Sequence, residues 1–230
     1  MQFGVFTVSD ITRDPTNGTI PTEKERIDAI VAIAKKVEEI GMDVFSIGEH
    51  HNRPFFSSSP TTTLAYIAAQ TERIILSTGT TLITTNDPVK IAEDFAMLQH
   101  LSNGRTDLVL GRGNTAPVYG HGPSLEDFTS QTPLTVGSPQ EVLEKTLSFQ
   151  EYFGNYQRQL FLVDHAGLPL KTVLNQLDMF GEHVLPELRK EMESRAPADL
   201  TPAPTHAGLV AAKKAREEAK NSHPDKGQDA

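Results

Sequence analysis

The residues of this chain best able to do chemistry stand where short apolar runs end. Residues 3–8 lead into Ser9 and Asp10, residues 44–48 into Glu49, His50 and His51, residues 74–76 into Ser77-Thr78-Gly79-Thr80-Thr81, and residues 108–110 into Gly111-Arg112-Gly113-Asn114-Thr115. An imidazole at His50 or His51 titrates near neutral pH and can give or take a proton. Adjacent side chains on an extended chain point to opposite sides, so one of the two faces a shared site. Gly79 among hydroxyl residues lets a planar ligand approach the backbone closely. Arg112 between two glycines can make charge-assisted bonds to a phosphate. Gly111-Arg112-Gly113 is no dinucleotide fingerprint, because the third glycine and the following acidic residue are absent. Plainer readings stand beside these: a histidine pair bonded to backbone, an ordinary glycine-containing strand exit, a surface ion pair for Arg112. A metal site on Glu49, His50 and His51 needs convergent geometry that three consecutive residues rarely supply. Asp164-His165, after a later strand, either faces the same mouth or plays a capping or structural part.

The elements that must position these residues alternate strand and helix. Ile27, Ile30, Val31, Ala34 and Val37 fall at helical spacing behind Thr22 as a cap, which predicts an amphipathic helix over 21–42. A buried strand follows at 44–47, a helix opens at Ser59-Pro60, and a third strand runs over 73–78. Asp87-Pro88 opens the next helix, with Ile91, Phe95 and Leu98 on one face; Asn103-Gly104 ends it, and residues 105–110 read as a fourth strand. Ser138-Pro139-Gln140-Glu141 is a capping box, a strand is expected at 159–163, and a last helix, kinked at Pro186, reaches about Met192. Such alternation implies parallel strands with helical crossovers, an α/β protein whose ligand site lies outside the carboxyl ends of the strands. Residues 116–136 carry no strand signal, and 194–230 read as a disordered tail with a transient helix over 207–220.

A formal net charge of −9 argues against nucleic acid as a partner, since a phosphate backbone is met by a basic surface. With no cysteine there is no thiolate chemistry and no disulfide framework. No stretch approaches the roughly 18 apolar residues of a membrane span, and the chain opens on a strand rather than a secretory leader. A soluble, cytoplasmic protein is expected.

At Glu49-His50-His51, Ser77-Thr78-Gly79-Thr80-Thr81, Asn86-Asp87-Pro88, Ser102-Asn103-Gly104-Arg105 and Leu110-Gly111-Arg112-Gly113-Asn114, the chain resembles the flavin-dependent luciferase-like monooxygenases in residues, order and spacing. Residues 135–142 and 161–169 are similar to the closing part of the same family, so the likeness covers nearly all of 1–192. It implies a TIM-barrel-derived (β/α) parallel sheet. A full barrel takes roughly 250 residues, and the strands read here match the first four and the eighth, so about three are missing. The expectation is an incomplete luciferase-like barrel over residues 1–193, with a deletion joint near 115–120 and the last strand beside the first. Open edges of that kind favour a homo-oligomer.

By the same resemblance, His50 is the catalytic residue, and His51, Thr78, Gly79, Thr80, Arg112, Gly113 and Asn114 bind the cofactor. A cis peptide at Gly79-Thr80 would underlie the isoalloxazine, and Arg112 would hold the phosphate. The implied cofactor is reduced FMN from a separate flavin reductase, acting with oxygen on a small organic substrate. A deazaflavin is the alternative cofactor, and an inactive, truncated paralogue that binds flavin weakly or works through a partner is the alternative function. Gly111 stands where luciferases carry a reactive cysteine, so light emission is not implied.

Overall fold

The computed structural model of the chain describes residues 1–113, 133–198 and 206–222. In chain order its elements are β1 (Gln2–Thr7), α1 (Glu23–Glu39), β2 (Val44–Ile47), α2 (Pro60–Ala68), β3 (Ile75–Thr78), β4 (Thr81–Leu82), α3 (Pro88–Leu101), β5 (Thr106–Asp107), β6 (Leu110–Gly111), α4 (Pro139–Phe153), β7 (Arg158–Leu162), α5 (Leu170–Met179), α6 (Leu185–Ser194) and α7 (His206–Ser222). Three helices begin at the cap the sequence predicts. Thr22 and Glu25 form a reciprocal capping box, Ser138 and Glu141 another, and Asp87 accepts from the backbone of Val89 and Lys90. The last helical run is interrupted by a wide π turn at Phe180–Val184. It lies where Pro186, lacking an N–H, leaves the carbonyl four residues back without its helical donor.

The main sheet has the order β5-β3-β2-β1-β7, and every neighbouring pair is parallel. The last strand therefore lies beside the first, as expected. Alternation along the strands gives the sheet two faces. Phe3, Val5, Phe45, Ile47, Ile74 and Leu76 pack against Ile30, Ile33, Ala34 and Val37 of α1, Leu64 and Ile67 of α2, Leu98 of α3, and Val173, Leu177 and Leu188 near the C-terminal end of the core. The opposite face carries Gln2, Gly4, Val44, Ser46, Ile75 and Ser77, all buried. On it Arg158 of β7 donates Nε to Gln2 Oε1 at 2.9 Å and pairs through Nη1 with Asp107 of β5. Because β5 and β7 are opposite edges, that ion pair requires a strongly curled sheet. Among the described residues the curl does not close into a barrel.

The fourth strand departs from its sequence reading. Residues 105–110 read as one strand, but Thr106 and Asp107 pair with β3 whereas Leu110 and Gly111 pair with β4 in a separate two-stranded ladder. Between them the Thr78 hydroxyl accepts from Val109 N (3.2 Å) and donates to Val109 O (3.1 Å), replacing the ladder bonds. Leu108, Val109 and Leu110 remain 37%, 39% and 53% exposed, so an apolar edge stands open where a further strand would lie in a barrel. Beyond α6, the described side chains of α7 are exposed apart from a half-buried Leu209. The joint proposed near 115–120 and most of 116–136 lie outside the described residues.

Candidate functional site

The site is organised around a buried glutamate. Glu49, just past β2, accepts from His51 Nε2 (2.8 Å) and Asn86 Nδ2 (2.7 Å) on one oxygen and from Leu82 N (2.9 Å) on the other. One carboxylate thereby ties the end of β2 to β4 and to the residues entering α3. Three donors satisfy a charge that burial would otherwise penalise. His51 is exposed and also lies 3.4 Å from Thr85 Oγ1.

His50 takes the opposite direction, as adjacent residues on extended backbone must. Its backbone N–H donates to Ser57 O (2.9 Å), and its ring stacks on Phe55 with centroids 4.3 Å apart. The loop carrying Phe55 is fixed from below, because Ile11 N donates to Pro54 O (2.8 Å), Phe56 N to Ser9 O (3.3 Å) and Ser57 Oγ to Gly48 O (2.6 Å). Gly48 continues the row of Val44 and Ser46, and a Cβ on it would lie 3.1 Å from His50 Nε2 and 3.5 Å from Gly79 O. The absent side chain thus leaves room for the imidazole against Gly48. Burial pushes the His50 pKa below its ordinary 6.5; Glu49 opposes this and His51 adds to it. The ring is therefore neutral at pH 7, and among the described residues neither nitrogen has a hydrogen-bond partner.

The peptide between Gly79 and Thr80 is cis. Gly79 is required by its surroundings, since a Cβ there would stand 2.9 Å from Ser46 Oγ and 3.0 Å from the Phe6 ring. Ser46 Oγ is buried without a partner among the described residues. Gly111 receives Thr80, whose Oγ1 would be 2.4 Å from a Cβ at that position. Gly113 adopts φ +79° against Leu82. Arg112 is exposed, has no ion-pair partner among the described residues, and accepts from Thr84 Oγ1 at its carbonyl (3.1 Å). Thr78 is engaged with Val109 and with Thr81 Oγ1 (3.1 Å), so its hydroxyl joins strands. His50, His51, Thr78, Gly79, Thr80, Arg112 and Gly113 thus gather at the ends of β2, β3, β4 and β6. Asn114 lies outside the described residues.

The ends of β1 and β7 are closed differently. Arg26 of α1 is buried and donates to Asp10 O (2.9 Å), Asp164 O (3.1 Å) and Asp164 Oδ2 (2.7 Å), and Thr7 Oγ1 donates to the same carboxylate oxygen (2.7 Å). Asp164 is thereby structural, and His165 sits exposed with Nδ1 3.7 Å from Asp10 Oδ1. Glu49, Asn86 and Arg26 were not singled out for these roles by sequence. Asn86 carries a signal in hindsight, an amide one residue before a helix cap.

The sequence profile of the luciferase-like monooxygenases matches residues 1–124, more than half of the chain. N-acetyl-S-alkylcysteine monooxygenase of Bacillus subtilis is 35% identical over 92 residues, which is 40% of this chain and 28% of that protein. The oxygenase component of the flavin-dependent trigonelline monooxygenase of Acinetobacter baylyi is 30% identical over 114 residues, 49% of this chain and 30% of that protein. Across the first four curated relatives the matched part spans between 25% and 51% of their own length. The crystal structure of monooxygenase RslO1 from Streptomyces bottropensis superposes with a TM-score of 0.67 at 16% identity, covering 81% of this chain and 99% of that one. A fold of this short form is thus found in a second chain.

Proposed function

This chain belongs to the luciferase-like monooxygenase family, and on that premise we propose that it takes up reduced FMN at the mouth of its curled sheet and uses it, with oxygen, on a small organic substrate. The observation that carries the reading is the placement of His50 against Gly48 at the end of β2, beside the neighbouring strand end that carries Gly79 and Thr80. The residues present fit a flavin: Ser46 Oγ, buried without a partner among the described residues, lies beside Gly79, and Arg112 offers a guanidinium free of carboxylates among them to a phosphate. When bound, the flavin supplies the oxygen chemistry, and the protein supplies position and dryness. His50, neutral and shielded on one face by Phe55, holds or moves a proton at Nε2. Glu49 opposes the burial that lowers the basicity of His50 and keeps His51 and β4 in place.

The Acinetobacter relative is an oxygenase component, which supports delivery of reduced flavin by a separate reductase. No helix among the described residues is long and apolar enough to cross a membrane. The open edge at Leu108, Val109 and Leu110 supports self-association. A second reading, a partner-dependent or inactive shortened paralogue, draws on that edge and on the fraction of its relatives' length that the chain spans.

Titration of the full chain with oxidised and reduced FMN, followed by flavin fluorescence and absorbance, tests the proposal. Saturable binding is expected, and Arg112→Ala should weaken FMN but not riboflavin by about tenfold, the ~1.4 kcal/mol of one exposed charge-assisted bond. No binding by a folded protein even at millimolar flavin would remove FMN catalysis and leave the second reading. Turnover independent of oxygen would point to a deazaflavin. A His50→Ala chain that turns over at the parent rate would remove the role of His50.

A further inference from the structure

The loops that follow β1 and β7 are joined by a cluster of buried charge. Asp10 and Asp164, with side chains 1% and 0% exposed, share one nitrogen of Arg26, at 3.6 Å and 2.7 Å from Nη2. Two carboxylates thus face a single guanidinium, which leaves an excess negative charge where burial penalises it. One oxygen of each, Asp10 Oδ1 and Asp164 Oδ1, has no hydrogen-bond donor among the described residues. A second cation can come from the exposed His165 ring, whose Nδ1 stands 3.7 Å from Asp10 Oδ1. That separation is too long for a hydrogen bond, so the attraction depends on the charge of the imidazole rather than on a shared proton. Asp10 raises the His165 pKa above the ordinary 6.5 against the effect of burial; Asp164 adds to the rise and Arg26 opposes it. Arg13 and Asp14, further along the loop after β1, are engaged within that loop, with Gly18 O and with Thr16 and Asn17.

The Asp10 carboxylate also holds backbone of the opposite loop. Ala166 N donates to Asp10 Oδ2 (3.3 Å), and Gly167 lies so close that a Cβ on it would stand 2.3 Å from Arg13 O. Ala166 adopts φ +61°, a region that a residue with a Cβ rarely occupies unless its surroundings hold it there. Arg26, charged at every relevant pH, ties the roots of both loops at Asp10 O and Asp164 O. The tie further out, from Ala166, rests on the Asp10 carboxylate.

We propose that His165 is a proton-operated clasp between these loops: as imidazolium it balances the Asp10 carboxylate and holds residues 165–167 on the loop after β1, and on losing its proton it releases them. Without that charge the cluster keeps its excess negative charge, and water that solvates Asp10 competes with the bond from Ala166. The sign follows from the raised His165 pKa: the clasp is closed below 6.5 and opens as pH rises through the folded value. It is a property of the chain alone and does not rest on the flavin reading.

The test follows the full chain without flavin by hydrogen exchange read by mass spectrometry, from about pH 6 to about pH 9 with exchange times scaled for the intrinsic rate, beside an NMR titration of the His165 ring. The ring should titrate above 6.5. Protection of the amides of residues 165–168 should fall by about threefold or more as the pH passes through that titration, while α3 keeps its protection. His165→Gln, at an exposed position, should leave the segment at the weakly protected level throughout, with no pH step. A ring that titrates at or below 6.5, protection without a step, or the same step in His165→Gln would each overturn the proposal. Protection lost in α3 together with the segment would mean that the chain opens as a whole, and would overturn it as well.

Discussion

Replacing Asp10 by asparagine should destabilise the chain in a pH-dependent way whose size follows from the geometry. The Asp10 carboxylate is buried at the end of β1, where it accepts from Thr12 Oγ1 (2.6 Å) and Ala166 N (3.3 Å) and faces Arg26 at 3.6 Å and His165 at 3.7 Å. Burial alone would raise its pKa, but the nearby His165, the bond from Thr12 and the charge of Arg26 outweigh burial and hold it at about 2, against an ordinary 3.8. That gap corresponds to roughly 2 kcal/mol of folding free energy. A depressed carboxylate contributes fully above its unfolded pKa and loses the contribution as pH falls through the folded value. His165 has the opposite sign. The Asp10 carboxylate beside it raises its pKa above 6.5, so its contribution is complete below 6.5 and fades as pH rises through the folded value. Asp10→Asn should therefore cost about 2 kcal/mol near pH 5, with the loss shrinking toward pH 2 and shrinking again on the alkaline side. Urea unfolding followed by circular dichroism across that range measures it. A loss that stays constant with pH would mean that asparagine disturbs packing rather than charge, and would refute the reasoning.

Gly111→Ala should cost about 1–3 kcal/mol, because a Cβ there would lie 2.4 Å from Thr80 Oγ1, and Thr80→Gly in the same chain should return most of it. Failure of the double variant to recover stability in urea would mean that the two residues do not contact one another. Leu110→Lys, at an edge position 53% exposed, should change stability by less than about 0.5 kcal/mol yet reduce self-association seen by sedimentation velocity. An unchanged sedimentation profile in a chain that does self-associate would place the contact elsewhere.

The helix starts were legible in sequence because capping is local: Thr22 with Glu25, Asp87 with Pro88 and Ser138 with Glu141 each satisfy backbone donors within one turn. In α1 the expected positions Ile30, Val31, Ala34 and Val37 are buried, but the first turn was not legible. Its apolar spacing places Ile27 in the core and Arg26 in solvent, but the buried stripe runs through Arg26, Ile30, Ile33, Ala34 and Val37. The reason lies far along the chain, since Asp164, which Arg26 meets at 2.7 Å, is supplied by the loop after β7. A pattern of hydrophobicity cannot register a buried ion pair whose partner is more than a hundred residues away. The role of Glu49 was hidden for the same reason, because its donors come from β4 and the entry to α3. The fourth strand misled in another way. Leu108, Val109 and Leu110 have the composition of a buried strand, and composition does not reveal whether a neighbour exists to bury them.

The contacts that build the candidate mouth run between residues that precede position 114. Glu49 to Leu82, Thr78 to Val109, Thr80 to Gly111 and His50 beside Gly48 all fall within the segment matching the family profile. None of them requires a strand beyond the fourth. β7 acts from the other side: it flanks β1, joins the two edges through Arg158 and Asp107, and ends in the Asp164 that anchors α1. A shortened sheet of this order can therefore keep the half of the mouth that presents the Gly79-Thr80 peptide and an imidazole, while Leu108, Val109 and Leu110 remain as its uncovered edge. On the proposed reading, the ring of a flavin is served by residues that all remain, and the phosphate hold falls to Arg112, at that edge. Loss of discrimination between FMN and riboflavin on removing Arg112 is consequently the sharpest measure of how much cofactor affinity the short form retains.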